Sequence, residues 1–170
     1  MIFSSIEIPS DFVGLIRGKD MKLSTKGRYG LRAMIDLALY SEEEPVSIQS
    51  IANRQNISES YLEQLVRKLR TAGLVTSVRG AGGGYQLAKP SSEISVGDVL
   101  RALEGNLDAV SCSAGSDQGC SGADLCVTRY VWEKINESIT QAVDSIGIDQ
   151  LVEESRRARE RGQVSAQLCE

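Results

Sequence analysis

From Ser24 onward, apolar residues recur every three or four positions, interrupted once by short β-prone runs. Leu31, Met34, Ile35 and Ala38 fall at i, i+3, i+4 and i+7, which predicts a first helix with Ser24 as its N-cap. Glu42-Glu43-Glu44-Pro45 ends it. Ser47 caps a short second helix carrying Ile48, Ile51 and Ala52, and Gln55-Asn56 forms the turn that follows. A third helix begins at Ser58 and buries Leu62, Leu65, Val66 and Leu69, with Gly73 placed to stop it in a left-handed conformation.

The period then changes. Leu74–Val78 and Tyr85–Leu87 are β-prone, and between them Arg79-Gly80-Ala81-Gly82-Gly83-Gly84 reads as a hairpin tip. Residues 91–105 return to helix: Ser95 and Asp98 form a capping box, Ile94 and Val99 a hydrophobic staple, and Gly105 the stop. A Gly/Ser/Asp-rich loop, 106–126, follows. Val127, Val131, Ile135, Ile139 and Val143, with Tyr130 and Trp132 beside them, mark a long amphipathic helix ending near Gly147. A short helix from Asp149 leads into the charged run 156–161, expected to be frayed. The fold class predicted is therefore mainly α with a small β-hairpin wing, a winged helix-turn-helix followed by a long C-terminal helix.

Composition sharpens this. Net charge is −4, yet residues 21–90 hold ten Lys/Arg against six Asp/Glu, while 91–170 hold seven against fourteen. A basic front half suits phosphate and an acidic back half keeps clear of it. The chain has no histidine, which excludes Ser–His–Asp and Cys–His catalysis and histidine-bound zinc. There is no nucleotide loop either: GAGGGY places Tyr85 where GxGxxG needs glycine. No membrane-spanning run or secretory leader is evident, so a cytoplasmic location with reduced thiols is expected. Residues 1–20 show no period; Met21 is the expected natural start, with a disordered N-terminal arm as the alternative.

In a helix-turn-helix, the second helix of the pair meets base edges in the major groove. Here it starts Ser58-Glu59-Ser60-Tyr61 and continues through Glu63-Gln64 and Arg67-Lys68. Its apolar stripe leaves positions 60, 63, 64 and 67 outward. Gln64 suits adenine, and Glu63 can accept from cytosine N4. In the wing, Gly82, Gly83 and Gly84 allow close approach to a phosphate or a minor groove, with Arg79 supplying charge.

Cys112, Cys120 and Cys126 are spaced C-x7-C-x5-C among glycines 115, 119 and 122, which let the backbone wrap a bulky group. The spacing is wider than in zinc ribbons, so spacing alone leaves metal binding and three plain loop thiols both open. MKLSTKGRYGLRAMIDLA, ISESYLEQLVRKLR, GLVTSVRGAGGGYQLAKP and the cysteine loop resemble the iron–sulfur cluster regulator (IscR) family. That family also includes the iron regulator RirA, the nitric-oxide sensor NsrR and the cluster-free cysteine-metabolism regulator CymR. The similarity runs from Met21 to about Val152.

The resemblance implies a homodimer joined through the long helix, binding double-stranded operator DNA. It implies contacts from Ser60, Glu63, Gln64 and Arg79, with Lys22, Ser24 and Arg28 near backbone phosphates. It also implies an iron–sulfur cluster, [2Fe-2S] or [4Fe-4S], on Cys112, Cys120 and Cys126, and control of iron–sulfur or iron homeostasis genes. The fourth ligand is the departure. Arg129 stands where IscR has a histidine, and Arg28 where NsrR has an aspartate. Asp117, Asp124, Cys169, a water or a small thiol remain as candidates.

The expected organisation is an extension at 1–20, a DNA-binding domain at 21–105, a cysteine loop at 106–126, dimerisation helices at 127–152 and a flexible tail at 153–170. Alternatives are a cluster-free regulator governed by a partner protein, a metabolite or thiol oxidation. An enzyme, or a dimer binding RNA, lacks supporting residues.

Overall fold

The computed structural model describes residues 24–41, 44–80, 82–109 and 126–162. In chain order these form α1 (Thr25–Tyr40), α2 (Ile48–Gln55), α3 (Glu59–Thr71), β1 (Val75–Val78), β2 (Gly84–Leu87), α4 (Val96–Glu104), α5 (Arg129–Asp144) and α6 (Ile148–Glu160). A 3₁₀ turn, Ser91–Glu93, precedes α4. The mainly helical winged-helix class read from the sequence is the observed one.

Serine hydroxyls start the first four helices. Ser24, Ser47, Ser58 and Ser95 each adopt an extended backbone and accept a hydrogen bond from an N–H of the first turn. Asn56, at φ 51°, turns the chain between α2 and α3, and Gly73, at φ 72°, ends α3. β1 and β2 pair antiparallel from Val75 opposite Leu87 to Val78 opposite Gly84. Val46 extends the ladder by one bridge to Tyr85, with N–H···O bonds of 2.9 and 2.8 Å.

The core gathers Met34 and Leu37 of α1, Ile51 of α2, Leu62, Leu65, Val66 and Leu69 of α3, Val75 of β1, and Val99 and Leu103 of α4. On α1 the buried face differs from the expected stripe. Gly27, Gly30, Ala33, Met34, Asp36, Leu37 and Ala38 are buried, while Leu31 and Ile35 are half-exposed. The reason is α4: a Cβ on Gly30 would collide with the Leu103 side chain. Small residues therefore face the partner helix, and they carry no apolar signal.

The C-terminal region also departs from expectation. α6 is a regular helix through Glu160 where the sequence reading places a flexible tail from residue 153. Ile148 is fully buried and Val152 6% exposed, both in the main core. Burying such side chains contributes roughly 1.5–3 kcal/mol each, enough to hold α6 against the body formed by α1–α4. Its entry is tied down by Val96 N–H to Ile146 O and Ile148 N–H to Ile94 O, both 2.9 Å. The charged run is kept helical by Arg157 bonding Glu153 and Glu154, and by Arg159 reaching Tyr40 Oη at 2.9 Å.

Candidate nucleic-acid interface and cysteine segment

The apolar stripe of α3 fixes which of its polar residues are open. Ser60, Glu63, Gln64 and Arg67 are exposed and share the outward side. Three other candidates on this helix have partners within the protein. The Ser58 hydroxyl is the N-cap, accepting from Tyr61 N–H. Tyr61 is half-buried and packs edge-on against Tyr29, ring centroids 5.9 Å apart. Burial, and then the charge of Glu104 and the neighbouring Tyr29, raise its hydroxyl above the usual tyrosine value. Lys68 Nζ donates to the Leu103 carbonyl at 3.0 Å.

At the start of α1, Ser24 accepts from Lys26 N–H at 3.1 Å, and its hydroxyl donates to Glu104 Oε1. The same carboxylate oxygen accepts from Gly27 N–H at 2.9 Å. A helix N-terminus gathers unpaired N–H groups that favour an anion, and here a side chain from α4 supplies one. Arg28 is exposed on the first turn. Lys22 lies outside the described residues.

The wing sorts its candidates too. Arg79 is exposed just after β1, and a Cβ on Gly82 would meet open space. Gly83 and Gly84 are needed by the fold itself. A Cβ on Gly83 would strike the Val78 carbonyl, and one on Gly84 would strike the Val46 backbone, both at 2.5 Å. The Gly84 that reads as part of a tip is the first residue of β2.

Of the three candidate cluster ligands, Cys112 and Cys120 lie outside the described residues, as do Asp117, Asp124 and Cys169. Cys126 is exposed just ahead of α5, its Sγ 3.2 Å from Thr128 Oγ1. Hydrogen bonds from the Thr128 side chain and N–H, then from Arg129 N–H with the nearby Arg129 charge, hold the thiol below its ordinary pKa. An exposed thiol whose surroundings ease its deprotonation fits the chemistry of iron–sulfur ligation. Arg129 forms an ion pair with Glu133 at 2.8 Å and is not a ligand. Among the described residues no three Cys, Asp or Glu side chains converge on a metal position.

This arrangement is matched in known proteins. Residues 23–154 match the Rrf2 family, described as an iron-dependent transcriptional regulator. The chain belongs to the Rrf2 family. The HTH-type transcriptional regulator IscR of Pectobacterium carotovorum is 48% identical over 132 residues, covering 78% of this chain and 79% of that protein. Among solved structures, T. potens IscR superposes with a TM-score of 0.65 at 46% identity, covering 85% of this chain and 92% of that one. The B. subtilis cysteine regulator CymR gives 0.64 at 44% identity, covering 78% and 97%.

This Rrf2 protein is an IscR-type DNA-binding transcription regulator and not an enzyme. No helix among its described residues is long and apolar enough to cross a membrane. The residue that sequence reasoning missed beside these candidates is Glu104. It reads as a polar position at the end of α4, and nothing local announces that it meets Ser24, 80 residues away in sequence.

Proposed function

We propose that this regulator binds operator DNA as a homodimer and that Cys112, Cys120 and Cys126 hold an iron–sulfur cluster whose presence sets operator affinity, in control of iron–sulfur or iron homeostasis genes. The observation that carries the DNA reading is the open side of α3, where Ser60, Glu63, Gln64 and Arg67 stand clear of the core while Leu62, Leu65, Val66 and Leu69 anchor the helix. Gln64 reads adenine and Glu63 selects cytosine; Arg67, Arg79 and Arg28 meet phosphate. Ser58, Tyr61, Lys68, Gly83 and Gly84 support that surface through the contacts described above, and Ser24 and Gly82 border it.

The dimer reading rests on α5, which has no fully buried residue and leaves Tyr130 and Val131 exposed, with Val127 exposed just ahead of it. The cluster reading rests on Cys126, whose surroundings favour the thiolate. Bound there, a cluster would supply a link between three thiolates that responds to iron supply and oxidants. Thr128 and the Arg129 backbone stabilise the Cys126 ligand form, and Arg129, paired with Glu133, leaves the fourth position to a carboxylate, Cys169, a water or a small thiol.

Anaerobic purification followed by iron and sulfide analysis and a visible spectrum tests the cluster. Coloured protein containing both elements supports it, with Cys→Ser at position 112, 120 or 126 bleaching it. Colourless protein after reconstitution overturns the cluster part and leaves the DNA part standing. For the latter, Gln64→Ala is expected to lower discrimination at one operator base pair by about 1–3 kcal/mol.

A further inference from the structure

The last turn of α4 touches both helices of the DNA face. Glu104 accepts from Ser24 Oγ and Gly27 N–H at the first turn of α1. One residue earlier, the Leu103 carbonyl accepts from Lys68 Nζ on α3. The Leu103 side chain is buried where Gly30 lacks a Cβ, and Leu100 fits Gly27 in the same way. Lys68 thus reaches the carbonyl end of α4, where a cation is favoured, and Glu104 reaches the amide end of α1, where an anion is favoured. Close-packed contacts of this kind transmit displacement: this turn cannot shift without moving α1, α3 or both.

We propose that Glu104 and Lys68 are positioning residues for operator binding, holding the start of α1 and the recognition helix α3 in the relative placement the operator requires. The inference rests on the DNA face proposed above. Both side chains are held by partners within the protein. The Lys68 ammonium is engaged by Leu103, and Glu104 is an anion that phosphate repels.

The signs of the effects separate positioning from simple charge. As a bare surface acid, Glu104 would weaken binding, so removing it would tighten binding to any duplex. As a phosphate contact, Lys68 when removed would weaken binding to all duplexes alike and reduce the salt slope by about one. Positioning predicts weaker binding to the operator alone in both cases.

The test uses full-length, anaerobically purified protein. Its probes are a duplex selected from random sequence by the wild type and a scrambled duplex of the same composition, each titrated at several salt concentrations. Glu104→Ala and Lys68→Met are expected to lower affinity for the selected duplex by about tenfold, the order of one lost charge-assisted hydrogen bond. Affinity for the scrambled duplex and the salt slope stay at wild-type values. Glu104→Gln, which keeps an acceptor oxygen, and Lys68→Arg, which keeps a donor, retain the preference for the selected duplex.

Tighter binding of Glu104→Ala to both duplexes, or an equal loss on both with a shallower slope for Lys68→Met, overturns the inference. Thermal melts confirm folding; Lys68 is an exposed side chain, so Lys68→Met carries the test if Glu104→Ala does not fold. Glu63→Ala and Gln64→Ala, at the two side chains proposed to read bases, serve as the control. If they lose the preference while the positioning variants keep it, the inference alone fails. If they too keep it, the proposed DNA face fails and the inference with it.

Discussion

Asp36 is the one buried charged side chain among the described residues, 2% exposed on the core face of α1. Its carboxylate is satisfied by Arg54, through Nε at 2.9 Å and Nη2 at 2.7 Å, and by Gln55 Nε2 at 2.8 Å. This hydrogen bonding outweighs partial burial and raises the Arg54 pKa above its ordinary value. The Arg54 guanidinium also lies 4.3 Å from the Tyr40 ring centroid, and Arg159 of α6 approaches the same ring at 5.6 Å. Asp36→Ala would leave a guanidinium without its counter-charge. Because Arg54 is 34% exposed and can turn toward water, the expected loss sits at the lower end of the range for broken buried pairs, about 3 kcal/mol, measurable by urea unfolding. In the sequence, Asp36 is one polar residue between Ile35 and Leu37. Its partners lie 18 and 19 residues away, which no helical period reveals.

At the scale of elements, α4 shows how local chemistry makes a helix legible. Ser95 N–H donates to Asp98 Oδ2, and Asp98 N–H donates to Ser95 Oγ, both at 3.0 Å, closing the capping box expected from the sequence. Burial works against the Asp98 charge, but the Ser95 hydrogen bonds and the nearby Arg101 outweigh it and lower the carboxyl pKa below its ordinary value. A lowered folded pKa contributes stability above the unfolded value, and this is lost as pH falls through about 4 toward the folded one. Melting temperatures taken from about pH 6 down to about pH 3 are expected to fall less steeply for Asp98→Asn than for the wild type. The variant itself starts from a weaker cap, losing about 1 kcal/mol at neutral pH. The four serine caps and the glycine stop at Gly73 were legible because each acts within a few residues of itself. The length of α6 was not, because Arg159 finds Tyr40 across 119 residues of chain.

At the scale of the whole molecule, the start of α5 carries apolar side chains that the rest of the described chain leaves uncovered. Val127, Tyr130 and Val131 are 89%, 67% and 50% exposed, an apolar surface that the proposed second copy would bury. Val131→Glu is expected to give a monomer by sedimentation at concentrations where the wild type is dimeric. Losing the paired half-sites should lower operator affinity by a factor on the order of 100 or more. A variant that stays dimeric would assign the surface to another role. What the sequence determined by itself is the order of elements, their serine caps and the exposed positions of α3, because period and capping are short-range properties of the chain. The tertiary structure alone decided that Glu104 meets the start of α1 and Lys68 the end of α4, that Gly30, Gly83 and Gly84 are packing requirements, and that α6 closes onto the core through Ile148 and Val152. Each of these depends on a partner tens of residues away or on the absence of a side chain, and neither leaves a periodic mark in the sequence.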